Sequence, residues 1–134
     1  MMEKPNLSFI IEIAGDDEAF QNSILEIIKT EFREEVNLFK TNFSLKKYKE
    51  AAHNVHKIKH KIGLLGLEKA LIKASEFEKA LKIGNTTLHH SFLEILDHLH
   101  KYRLFQLSED SDNLFGVVRN FQSKFQIYQL IFQS

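Results

Sequence analysis

At 134 residues and without cysteine, the chain has room for one core and excludes disulfides, thiolate metal sites and a cysteine nucleophile. Apolar residues make up 43% and charged residues 27%, a globular balance that argues against intrinsic disorder. Eighteen basic and eighteen acidic side chains cancel, so net charge selects no partner.

The apolar stretch near the N-terminus is interrupted by acidic residues and does not read as a signal peptide. No apolar run approaches the ~20 residues that cross a bilayer. These features predict a soluble, cytoplasmic protein. A single proline, Pro5, and only five glycines leave long stretches free for helix.

In chain order, a short helix is expected over Leu7 to Ala14, ended by Gly15. Asp16 is expected to cap a long second helix, with Asp17 and Glu18 complementing its dipole. Its core positions would be Phe20, Ile24, Ile27, Ile28 and Leu38 or Phe39, and a turn near Asn42 to Ser44 would end it. The third helix, Leu45 to Ile62, places Tyr48, Ala51, Val55, Ile58 and Ile62 on one face. Gly63 and Gly66 mark its end. The fourth, Leu67 to Ile83, would bury Leu67, Ala70, Leu71, Ala74, Phe77 and Leu81. The fifth, Thr86 to Leu104, carries Leu88, Phe92, Ile95, Leu96 and Leu99.

Four such helices with short connections predict an all-α, antiparallel up-down four-helix bundle preceded by a short N-terminal helix. The bundle domain is expected over residues 1–104. Residues 105–134, rich in aromatic and β-branched side chains, would form a C-terminal appendage whose structure the pattern does not define.

Charge is unevenly distributed along the chain. Asp16 to Glu35 carries seven acidic and two basic side chains, whereas Lys46 to Lys61 carries six lysines and one glutamate. Such asymmetry can steer a charged partner or can simply coat a solvated face.

The stretch AAHNVHKIKHKIGLLGLEKAL, residues 51–71, resembles the signature of histidine-containing phosphotransfer (HPt) domains, roughly A-H-x-L-K-G-S/A-x-x-x-G-x-x-x-L. The family's phosphorylatable histidine falls on His56, its lysine on Lys59 and its later glycine on Gly66. GDDEAFQNSILEII matches the family's opening of the second helix, and FEKAL matches a segment of the fourth. The likeness covers about Leu7 to Leu104.

The resemblance implies phosphorelay signal transduction: His56 accepts a phosphoryl group from a receiver-domain phospho-aspartate and passes it to another receiver. It implies response-regulator receiver domains as partners, together with a hybrid sensor histidine kinase. It also implies no ATP site or cofactor in this chain, with Mg²⁺ supplied by the receiver. Lys57, His60, Lys61, Gly63 and Gly66 would then line the docking surface of a monomer.

Helix geometry supports this placement independently. At ~100° per residue, His56 lies about 100° from the centre of the apolar face of the third helix, on the solvent flank, with Lys59 on the same side. A lysine ammonium there can offset charge on a transferring phosphoryl group. Histidine suits the task because an unperturbed imidazole has a pKa of about 6.5, so the neutral nucleophile is available near pH 7. Glu78 falls only about 30° from the centre of the fourth helix's apolar stripe, an expensive place for an unpaired carboxylate. It is therefore expected to hold the His56 ring, a role that a Gln or Glu has in the family. The other reading turns Glu78 to water or pairs it with Lys59 or Lys82.

One residue departs from the family pattern: the glycine usually found four positions after the histidine is here His60. Lys61 likewise replaces a small residue. His60 keeps alive a second reading, a phosphorylation-incompetent HPt-like docking module. His53, His56 and His60 share a stripe, but they lack the fourth ligand of a structural zinc site, so no specific metal site is expected. His89, His90, His98 and His100 are expected at the surface or helix flank, without function. No phosphate-cradling glycine loop or zinc-protease motif is present, and the lysines lack the aromatic companions and net charge of a nucleic-acid surface.

Overall fold

The computed structural model describes residues 4–101; the expected C-terminal appendage lies outside them. Among the described residues the chain is all-helical. It contains α1 (Ser8–Ala14), α2 (Glu18–Ser44), α3 (Tyr48–Leu64), α4 (Glu68–Lys82) and α5 (His89–His100). No helix among the described residues is long and apolar enough to cross a membrane.

Boundaries follow local chemistry. Asn6 starts α1, its side-chain oxygen accepting from the Ser8 N–H at 2.9 Å and the Ser8 hydroxyl at 2.6 Å. The cap of α2 is Asp17 rather than Asp16: its carboxylate accepts from the Phe20 N–H at 3.1 Å. α2 also continues through the expected turn to Ser44. The reversal is made further on, where Lys46 adopts φ 60°. α5 starts at His89 rather than Thr86, because Asn85 Oδ1 accepts from both the Thr87 N–H and hydroxyl and holds a turn there.

α3 packs against both α2 and α4. Glu31 pairs with Lys61, Glu35 with Lys57, and Asn42 with Asn54, so numbers rise on α2 as they fall on α3. The two helices therefore run in opposite directions. The same holds for α3 and α4, where His56 meets Glu78 and Gly63 lies beside Leu71.

Between the helices lie Ile24, Ile28, Phe39, Val55, Ile58, Ile62, Phe77, Leu81, Phe92 and Ile95, all essentially without solvent exposure. Phe39, Phe77 and Phe92 meet with centroids 4.9–5.9 Å apart. Of the alternatives Leu38 and Phe39, Phe39 is buried and Leu38 half-exposed. Phe32 joins the core as well.

The lysine-rich third helix does not present all its charge outward. Lys61 Nζ lies 3.4 Å from Glu31 Oε2, and Lys57 Nζ lies 3.6 Å from Glu35 Oε1. Glu35 also accepts from the Asn54 amide at 3.0 Å, and Asn54 Oδ1 accepts from Asn42 at 2.7 Å. Part of the opposite charge of the two segments is thus used inside the molecule, as a polar seam between α2 and α3.

Candidate functional site

His56 sits on the solvent flank of α3, its side chain 45% exposed. Its Nδ1 is 3.2 Å from both carboxylate oxygens of Glu78, which reaches across from α4. Glu78 is buried, with its side chain only 8% exposed. Lys59 Nζ reaches Glu78 Oε1 at 2.8 Å, and Lys82 Nζ reaches Oε2 at 3.2 Å. The two outcomes weighed for Glu78 thus occur together: it holds the imidazole and pairs with both lysines.

Burial pushes the Glu78 carboxyl up, but hydrogen bonds from Lys59, Lys82 and His56 outweigh it and hold the group below the ordinary carboxylate range. Glu78 is therefore an anion at neutral pH and can only accept. His56 Nδ1 must carry the proton it shares with Glu78, and in the neutral ring Nε2 is left with its lone pair directed away from Glu78.

His60, one turn along α3, faces that lone pair. Its Nε2 is 3.2 Å from His56 Nε2, with ring centroids 4.6 Å apart. Burial first, then the neighbouring His56, Lys59 and Lys61, lower the His60 pKa against the opposing pull of Glu78. The neutral His60 ring donates its Nε2–H to His56 Nε2. The result is a line of four groups: Lys59, Glu78, His56, His60.

The residues expected around His56 do not share one environment. Lys57 is exposed beside its α2 partner, and Gly63 is exposed. The ammonium of Lys59 lies against Glu78, behind the ring, rather than over the exposed nitrogen. Lys61, expected on the docking surface, is instead buried between α3 and α2, with its side chain 3% exposed. Burial lowers its pKa, and Glu31 opposes that shift. Nothing in its spacing announced this, because the signal was on α2, in Glu31 and Glu35 one turn apart.

Gly66 is a packing residue. It takes φ +70°, and a Cβ there would come within 2.8 Å of Asn6 Cβ, where the N-terminal segment bonds back through Asn6 N–H to the Leu65 carbonyl at 2.6 Å. His89, on the flank of α5, stacks its ring on Phe43 with centroids 3.7 Å apart and planes 6° from parallel. Burial lowers its pKa, with a further push from His90. Among the described residues no group of three or more His, Cys, Asp or Glu side chains is arranged to hold a metal ion.

No protein-family model matches the chain, and comparisons with curated proteins and with solved structures return no similar protein.

Proposed function

We propose that the chain is an antiparallel up-down four-helix bundle of the HPt type and that His56 relays a phosphoryl group between receiver domains. One observation carries the reading: an imidazole nearly half open to solvent is gripped at Nδ1 by a buried, ionised carboxylate. That arrangement fixes the tautomer and orientation of the ring and makes Nε2 the nucleophile.

In the step proposed, Nε2 attacks phosphorus of the receiver's aspartyl phosphate. An N–P bond forms, the P–O bond to the aspartate breaks, and the aspartate leaves as a carboxylate. The ring keeps its Nδ1 proton and becomes cationic beside Glu78, which stabilises that charge. The same events in reverse deliver the group to a second receiver. The receiver brings Mg²⁺ for the phosphoryl oxygens; this chain supplies nucleophile and orientation, with no ATP site, and acts as a cytoplasmic monomer. Lys57, His60 and Gly63 edge the surface where the receiver would dock.

The contact between His60 Nε2 and His56 Nε2 favours a second reading, a docking module whose histidine is capped and takes no phosphoryl group. Incubation with a radiolabelled phospho-receiver separates the two. The relay reading expects acid-labile, base-stable label on the wild type and none on His56→Gln. Label persisting on His56→Gln would place the acceptor elsewhere, and a wild type that docks receivers without label would establish the module.

A further inference from the structure

The His56–His60 pair has a geometry that exceeds what a phosphoacceptor needs. A lone exposed nitrogen suffices for attack, yet two Nε2 atoms stand 3.2 Å apart on successive turns of one helix. A tetrahedral ion with metal–nitrogen bonds of about 2.0–2.1 Å holds its ligating nitrogens about 3.3 Å apart. The spacing that shares a proton between these rings is thus close to one that shares a cation.

We propose that His56 and His60 form a two-nitrogen chelate for a borderline transition-metal dication of the Zn²⁺ class. The ion takes the lone pair of His56 Nε2 in place of the His60 N–H that occupies it. His60 contributes its own Nε2 once its ring proton moves to Nδ1 through solvent, so both rings stay neutral and no net proton is released. Water or a group from a docking partner completes the coordination sphere.

Three further observations support the site. Glu78 holds the opposite nitrogen of His56 at 3.2 Å, the carboxylate–histidine–metal arrangement that orients a ligand ring and raises its basicity. His60 is half-buried with its Nε2 already turned toward His56, so the second nitrogen is placed before any ion arrives. By contrast His90, which meets Glu94 one turn along α5, is far more exposed, the two side chains being 86% and 59% open to solvent.

The chelate consumes the lone pair that would attack phosphorus, so bound metal and phosphoryl transfer exclude each other. That consequence rests on the phosphoacceptor reading, whereas the binding does not.

The test uses Zn²⁺ alone, titrated into the full chain at pH 7.5 against a chromophoric chelator, with no receiver present. One equivalent should bind to the wild type. Affinity should fall by at least about tenfold in both His56→Gln and His60→Gln, and by about tenfold in Glu78→Gln, the scale on which orienting carboxylates act. His90→Gln should bind as the wild type does, and circular dichroism checks that each variant is helical. Equal affinity in His60→Gln and the wild type, or a loss confined to His90→Gln, would reduce the observation to an adventitious ion only and overturn the site. Because no phosphoryl donor is involved, a failed relay would leave this result readable.

Discussion

At the scale of single residues, His60 is the side chain that decides how the site behaves. Its Nε2–H hydrogen bond to His56 Nε2 must break before that nitrogen can react as proposed, and a net hydrogen bond is worth about 1 kcal/mol. His60→Ala should therefore accept a phosphoryl group roughly fivefold faster than the wild type, measured with a small-molecule phosphodonor to avoid docking effects. An unchanged or slower rate would mean that His60 assists rather than obstructs. Glu78 acts in the opposite sense. Glu78→Gln keeps an acceptor for Nδ1–H but loses the negative charge that stabilises the cationic ring, and should slow transfer at least about tenfold with the helical signal intact. The same pair gives a pH dependence. The lowered pKa of His60 means that protonating it costs the folded state more than the unfolded one. Its destabilising effect is absent above about pH 6.5 and grows as pH falls through the folded-state value. Melting temperature should drop between pH 7.5 and 5.5, and the drop should be smaller in His60→Gln. The loss would not vanish, because His89 is shifted the same way. Both His56 and Glu78 could be singled out in the sequence, one from motif and helical phase, the other from the cost of a carboxylate near an apolar stripe. The capping contact was legible only in part: the spacing put His60 a turn from His56, but ring rotation decides whether two histidines meet.

At the scale of elements, periodicity served well where one helix faces one core. Every position expected on the apolar face of α3 except Tyr48 is buried, because an interior helix with a single lysine-rich face leaves little choice of orientation. Boundaries were less legible. Asp16 and Asp17 are chemically equivalent, and the cap is Asp17 because it takes the extended backbone, φ −80° and ψ 98°, from which its carboxylate accepts the Phe20 N–H. The seam of Glu31, Glu35, Lys57 and Lys61 is not legible in the sequence, because charge runs on separate helices reveal their pairing only when the crossing is known. Gly66 shows the reverse situation: a motif residue with a packing reason. Gly66→Ala must carry a side chain at φ +70° against Asn6, and should destabilise the fold by about 1–2 kcal/mol from backbone strain alone, read as a lower denaturation midpoint. A neutral outcome would mean that the N-terminal segment yields freely.

At the scale of the whole molecule, adjacent antiparallel helices bring an orienting carboxylate against a part-exposed imidazole. α3 carries the imidazole and α4 the carboxylate, and the close packing of these two helices, with Ile58 and Ile62 buried on one and Ala74, Phe77 and Leu81 on the other, holds the 3.2 Å contact. The central claim is that this contact commits His56 to react through Nε2. It is tested most directly by phosphorylating the protein with phosphoramidate and assigning the product by ³¹P–¹⁵N correlation NMR. A phosphorus bonded to Nε2 of His56, with Nδ1 still protonated, is the predicted result. Phosphorus on Nδ1 of His56, or on another histidine, would contradict it.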